Sequence, residues 1–213
     1  MKIACLQFNP IQENTYVVWD DTSEAVVIDA GNSNPREDAA LDNFIAQHGL
    51  KPVLAVNTHG HFDHTLGVAH LKKRYGIPFA LSSKDQFLLD NASTSGSIFG
   101  VAVGEMPPAD IDLDTTPEIR FGHTVLRVIH TPGHTPGGVT LKVGDVLLTG
   151  DTLFQGSMGR TDFEGGSYAE IMASLGRLGR LSGDYHVLPG HMGASTLEQE
   201  RKTNYYLREA MEG

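Results

Sequence analysis

The chain has 213 residues, of which 40% are hydrophobic and 20% are charged, a composition typical of a globular domain. Its formal net charge is −10 and Lys and Arg form no run, which argues against partners such as nucleic acid or an anionic membrane surface. Residues 1–10 lack the apolar core of a signal peptide, and no stretch is apolar enough to span a bilayer. The single cysteine, Cys5, excludes an intrachain disulfide. We therefore expect a cytoplasmic protein in which Cys5 is a small buried residue. No pattern indicates an oligomeric state.

The first part of the chain alternates predicted strands with predicted helices. β-Branched and aromatic runs between turn residues predict strands, and periodic apolar residues behind Asn34 and Pro35 predict a helix that closes at Gly49. The predicted strands are residues 3–8, 15–19, 25–28, 52–56 and 79–81, and the predicted helices are residues 35–48, 66–75 and 84–89.

Residues 91–116 have no periodic pattern and predict the longest loop, and long loops in compact domains are often functional. Beyond this loop, we expect strands at residues 118–121, 124–130, 138–143, 145–148 and 186–188, and helices at residues 168–178 and 196–211. Strands precede helices in both halves and no linker divides them. We therefore expect residues 1–213 to form one α/β domain, with sheets at the centre and helices outside.

Four residues of the kinds that bind metals lie within six positions, directly after the predicted strand 52–56. They are His59, His61, Asp63 and His64. On an extended segment, His59, His61 and Asp63 project to one side, and His64 follows as the chain turns into a helix. The side chains at the two ends of such a segment can bind two neighbouring ions. Imidazole and carboxylate suit zinc, iron or manganese better than calcium.

Each ion needs further ligands, and three candidates follow predicted strands at junctions rich in Gly and Pro. They are His134, Asp151 and His191. Gly and Pro fix the direction of the backbone and let the chain pass close to an ion. Asp151 has two oxygens and could bridge both metals. The histidines expected to be structural are His48, His70, His123 and His186, whereas His130 is either structural or a neighbour of a ligand.

The segment from His59 to His64, followed in order by His134, Asp151 and His191, resembles the metallo-β-lactamase superfamily over nearly the whole chain. The resemblance implies a four-layer αβ/βα sandwich with the metals at one edge. Residues 149–154 and 159–162 look like the glyoxalase II branch in its short bacterial form. The resemblance also implies the ligands of a first metal (His59, His61 and His134), those of a second (Asp63, His64 and His191), and Asp151 as the bridge.

The resemblance implies a small-molecule hydrolase that cleaves a thioester, with S-lactoylglutathione as the reference substrate. Two divalent ions, zinc before iron or manganese, would lower the pKa of a water between them, and the resulting hydroxide would attack the thioester carbonyl. Asp63 could orient this hydroxide, so Asp63 and Asp151 are the candidate catalytic residues. Arg160 is the candidate for binding a substrate carboxylate. Alternatively, Arg160 pairs with Asp162 as structural support.

Other functions fit the same residues. A mononuclear-iron persulfide dioxygenase would need only His59, His134 and Asp151, the arrangement of two imidazoles and one carboxylate that is typical of iron oxygenases. A lactonase or a β-lactamase would keep two metals and change the substrate. A non-catalytic metal-binding module fits poorly, because such modules usually close the coordination sphere with protein ligands.

Overall fold

The computed structural model describes residues 1–213. Two six-stranded sheets form its centre. The first sheet has its strands in chain order: β1 (Lys2–Phe8), β2 (Glu13–Trp19), β3 (Glu24–Ile28), β4 (Lys51–Val56), β5 (Phe79–Leu81) and β6 (Ile111–Asp112). The second sheet runs, from edge to edge, through β14 (Ser195–Thr196), β13 (His186–Pro189), β10 (Val146–Gly150), β9 (Val139–Val143), β8 (Thr124–His130) and β7 (Glu118–Phe121). A separate short hairpin consists of β11 (Leu153–Phe154) and β12 (Ser157–Met158).

The chain forms eight α-helices, of which the last two follow the final strand. They are α1 (Pro35–Gln47), α2 (Phe62–Thr65), α3 (Val68–Tyr75), α4 (Gln86–Asp90), α5 (Ala92–Ile98), α6 (Tyr168–Gly179), α7 (Leu197–Thr203) and α8 (Tyr205–Glu212). None of them combines the length and the apolar character that crossing a bilayer requires.

The side chains of successive strand residues enter different cores, which reveals the layers of the fold. Val17 packs with Leu41 of α1, whereas its neighbour Val18 packs with Leu141 of β9 between the two sheets. On the far side of the second sheet, Leu147 packs against α6 and α8. The order is therefore helices, sheet, sheet, helices. The expected four-layer αβ/βα sandwich is confirmed.

Three expectations about local structure are wrong. The region 91–116 contains α5 and β6. The helix α5 buries only small residues, Ala92 and Gly96, so it has no apolar period to detect. The predicted helix 196–211 is two helices, α7 and α8, separated at Asn204. Cys5 is exposed, because β1 is the edge strand of its sheet and little packs over it.

The break between α7 and α8 is organised by Asn204, whose side chain is fully buried. Its Oδ1 accepts hydrogen bonds from the backbone N–H groups of Tyr206 and Leu207 at 3.1 and 3.3 Å. Its Nδ2 donates to the carbonyls of Phe154 and Ser157 at 3.3 and 2.9 Å. Asn204 therefore caps α8 and attaches the C-terminal helices to the β11–β12 hairpin.

Replacing Asn204 with Ala should lower the free energy of unfolding by roughly 2–4 kcal/mol, since it removes a helix cap and leaves buried polar groups unpaired. The matched control is Asn34→Ala, because Asn34 caps α1 from an exposed position through the N–H groups of Arg36 and Glu37. Asn34→Ala should lower the free energy of unfolding by about 1 kcal/mol. Urea unfolding measures both values, and equal losses would contradict the bridging role of Asn204.

Candidate metal centre

Four strands end at one edge of the sandwich. β10 and β13 are parallel, and β8 points the same way because both β8 and β10 are antiparallel to β9. The loops after these three strands therefore leave the second sheet on one side. The loop after β4 of the first sheet joins them there, since the backbone N–H of Val139 donates a 2.8 Å hydrogen bond to the carbonyl of Thr58.

This edge brings together all seven residues that were predicted as metal ligands. Their ring nitrogens and carboxylate oxygens form three overlapping groups. In each group, the atoms lie within 4.8 Å of one another. The groups are His59, His61 and His134; His59, His64 and Asp151; and Asp63, His64 and His191. Asp151 lies between the outer groups, because its Oδ2 is 3.5 Å from His134 Nε2 and 3.7 Å from His191 Nε2.

The expectation that Asp63 continues an extended segment is wrong. His61 has an extended backbone and is the N-cap of α2, so Asp63 and His64 lie on a helical turn. Consecutive helical side chains point about 100° apart. Both residues reach His191, since His64 Nε2 lies 3.2 Å from His191 Nε2, but only His64 also contacts Asp29. Asp63 Oδ2 lies 3.1 Å from His191 Nε2, whereas His64 Nδ1 lies 3.2 Å from Asp29 Oδ2.

The hydrogen bonds of His134 leave one of its ring nitrogens free for a metal. Its Nδ1 lies 2.7 Å from the carbonyl oxygen of Arg160, which can only accept, so Nδ1 carries the proton. Its Nε2 therefore has a free lone pair, and it lies 2.9 Å from His61 Nδ1. Two ring nitrogens thus converge on one point.

His59 is oriented in the same way. Thr58 Oγ1 donates to Asp29 Oδ2 at 2.8 Å, so it can only accept from His59 Nδ1, which is 3.1 Å away. The buried Nε2 of His59 then has no hydrogen-bond partner, and neither does the buried Oδ1 of Asp151. Buried polar atoms without partners are costly, and a divalent cation would satisfy both. The donor set therefore fits zinc, iron or manganese.

The electrostatics of the two sides of the cluster differ. Burial, together with neighbouring imidazoles, lowers the pKa of His59 well below its usual value and that of His61 to about 4, so both are neutral and able to bind a metal at pH 7. Burial opposes a charge on His64, but Asp63 and Asp151 outweigh it and raise the pKa of His64 well above its usual value. Burial also opposes a charge on Asp63, yet His64 and His191 hold the pKa of Asp63 below its usual range. The side with the carboxylates thus stabilises positive charge.

The sequence did not identify Asp29, a buried carboxylate behind the ligands. It directly follows β3, and its Oδ1 accepts from the N–H of Thr58 at 2.6 Å while its Oδ2 faces His64. Asp29 therefore fixes the start of the loop that carries His59. The signal that selected Asp151, an Asp directly after a buried strand, would also have found Asp29.

A second carboxylate that the sequence did not identify, Asp85, joins two ligand-bearing loops. Its Oδ2 accepts from the N–H of Gly60 at 2.9 Å and from Thr135 Oγ1 at 2.8 Å, and its Oδ1 accepts from the N–H of Gly137 at 2.6 Å. The side chain thereby ties the loop after β4 to the loop after β8. It lies in a short 3₁₀ turn, Ser83–Asp85, which has no recognisable motif.

A cavity of about 520 Å³ opens over the cluster, with Arg160 among its lining residues. The Arg160 guanidinium donates two hydrogen bonds to the Asp162 carboxylate, at 2.7 and 2.6 Å. Of the two expectations for Arg160, the structure shows the pairing with Asp162. His130 lies outside the cluster, with its Nδ1 3.7 Å from Asp114 Oδ1.

A four-layer αβ/βα sandwich with imidazoles and carboxylates gathered at one edge is the architecture of a metal-dependent hydrolase. The family model of the metallo-β-lactamase superfamily matches residues 8–191, and the chain belongs to this superfamily. Its members bind divalent metals. The membership expected from the sequence is confirmed.

Glyoxalase II-like proteins are among the relatives of the chain. It is 32% identical over 212 residues to the hydroxyacylglutathione hydrolase GloC of Haemophilus influenzae, with 97% of this chain and 98% of the relative covered. Among solved structures, the BLEG-1 B3 metallo-β-lactamase is similar with a TM-score of 0.89, 34% identity, and coverage of 97% of this chain and 99% of that one. TTHA1623 in a di-iron-bound form is similar with a TM-score of 0.85, 33% identity, and coverage of 95% and 99%. For ETHE1 from Myxococcus xanthus, the TM-score is 0.79, the identity 26%, and the coverage 96% and 84%.

Asp85→Asn should weaken metal binding by roughly 10–100-fold, the usual effect of losing a partner that orients ligands. The Asn side chain would place an N–H₂ group against N–H or O–H groups whose hydrogen bonds the carboxylate accepts. Competition with a chelator of known affinity measures the change. Asp90→Asn is the control, since Asp90 is exposed at the end of α4. Unchanged affinity in a folded Asp85→Asn protein would contradict the role of Asp85.

Proposed function

We propose that the protein is a binuclear metallo-hydrolase that cleaves thioesters in the manner of glyoxalase II. The observation that carries the proposal is the convergence of two ligand groups on either side of Asp151. One ion would be held by His59, His61 and His134, the other by Asp63, His64 and His191, and Asp151 would contact both. The similarity to a hydroxyacylglutathione hydrolase over nearly the full length of both chains supports a thioester substrate.

The residues at the base of the cavity suit this reaction. When bound, a pair of divalent ions supplies a water of lowered pKa and polarises a carbonyl oxygen. Asp63 lines the cavity, so a carboxylate oxygen that is not bound to a metal can accept a hydrogen bond from the attacking water and orient it. The new bond joins the water oxygen to the thioester carbon, and the C–S bond breaks. A thiolate leaves without prior protonation, so no dedicated general acid is needed.

A mononuclear-iron persulfide dioxygenase is the second candidate. The similarity to ETHE1 favours keeping it. It would use His59, His134 and Asp151 alone. We prefer the hydrolase because Asp63 and His191 would have no role in the dioxygenase, although Asp63 Oδ2 lies 3.1 Å from His191 Nε2.

The deciding experiment uses protein reconstituted separately with zinc, manganese and iron. We expect thiol release from a thioester panel that includes S-lactoylglutathione, with a lactone and a β-lactam as competing substrate classes. Oxygen uptake is recorded in parallel with a persulfide. Oxygen consumption without thioester cleavage would establish the dioxygenase instead, and cleavage of the lactone or the β-lactam alone would move the assignment to that class.

Asp151→Ala should lower both the metal content and the rate of hydrolysis, the rate by at least roughly 100-fold, because even partners of ligands contribute up to that amount. The control is His70→Ala. His70 Nε2 lies 3.1 Å from Asp42 Oδ1, and this contact links α3 to α1 away from the metal cluster. That variant should keep its metal and its rate. Elemental analysis and thiol release measure the two quantities, and equal losses in both variants would contradict the assignment.

A further inference from the structure

The cavity over the metal cluster has an apolar rim. Four large apolar side chains that line it are exposed to solvent, namely Ile98 (79%), Phe99 (49%), Phe163 (37%) and Met192 (55%). They come from the end of α5, the segment before α6, and the loop after β13. Grouped apolar side chains at the mouth of a cavity typically mark the place where a ligand is bound. We call these four residues the apolar rim.

The only Lys or Arg among the residues that line the cavity is Arg160, and its charge is already paired. Its Nε and Nη2 donate to the two oxygens of Asp162, and its guanidinium lies 3.8 Å from the ring centroid of Phe163. Glu164 adds a carboxylate to the same wall. A substrate carboxylate arriving here would have to displace Asp162 and approach Glu164. The wall therefore disfavours an anionic group.

We infer that the preferred substrates carry an uncharged, apolar group, aromatic or branched aliphatic, on the part of the molecule that contacts the apolar rim. This inference rests on the proposed thioester hydrolysis and specifies its substrate class. The apolar rim contributes by removing apolar surface of the ligand from water. A thioester of an anionic thiol such as glutathione lacks that contribution, and its carboxylates approach those of Asp162 and Glu164. A volume of about 520 Å³ accommodates a substrate of moderate size.

The test compares two thioesters with the same acyl group, S-lactoylglutathione and the lactoyl thioester of benzyl mercaptan. The enzyme is loaded with the metal that gives the higher rate. We expect kcat/KM to favour the uncharged thioester by about tenfold or more. A wild-type preference for S-lactoylglutathione would overturn the inference and leave thioester hydrolysis standing.

Variants locate the preference. Ile98→Asn and Met192→Gln should each lower the ratio of the two kcat/KM values, uncharged over anionic, by about tenfold, because each removes apolar surface from the rim without adding a charge. Asp162→Asn should lower the same ratio by raising the rate with S-lactoylglutathione, because it releases Arg160. The control is Tyr205→Asn, since Tyr205 is 69% exposed on α8 and does not line the cavity. An equal ratio in the Ile98 and Tyr205 variants would overturn the inference.

Binding separates a failure of this inference from a failure of the proposed function. The ligands are two thioethers that cannot be hydrolysed, one with an uncharged benzyl group and S-methylglutathione, titrated calorimetrically into the metal-loaded protein. If neither of these thioesters nor any other thioester of the panel is cleaved, the proposed hydrolysis is overturned. Tighter binding of the uncharged thioether then still supports a rim selective for apolar groups, and tighter binding of S-methylglutathione overturns it.

Discussion

The cluster of candidate metal ligands depends on the way Thr58 connects the two sheets. Its N–H and its hydroxyl both donate to Asp29, and its carbonyl accepts from Val139 of the opposite sheet. Gly150, with a φ of +48°, passes so close that a β-carbon there would lie 2.2 Å from Thr58 Oγ1. Strand ends from both sheets are thus fixed against one residue, and the loops that carry the ligands begin from positions with little freedom.

The tautomers of the histidines follow from this arrangement. The proton of His59 is directed to Nδ1 by Thr58, and that of His134 by the carbonyl of Arg160. In both cases a group that can only accept determines which ring nitrogen remains free. The cluster is therefore organised for a cation by neutral hydrogen bonds on one side and by carboxylates on the other. The apolar rim adjoins this arrangement, because the ring centroid of Phe163 lies 5.8 Å from that of His61 and Met192 directly follows His191.

The convergence of the seven candidate ligands could be predicted from the sequence because each is marked locally, by its residue type and by its place after a strand. Asp85 could not, since its role comes from Gly60 and Gly137, which are distant in the sequence and meet only in the fold. Central sheets with helices outside were predictable from the alternation of strands and helices, whereas the four-layer order was implied only by the family resemblance. The helix α5 was not, because Ala92 and Gly96 pack by being small and leave no apolar period.

The attachment of Asn204 to the β11–β12 hairpin has a consequence for evolution and engineering. The hairpin carbonyls that it holds belong to Phe154 and Ser157, and both residues also line the cavity. Substitutions in the last two helices can therefore change the shape of the cavity without touching the candidate ligands. A search for variants with new substrate ranges should therefore include the C-terminal segment. Libraries restricted to residues near the candidate ligands would not sample it.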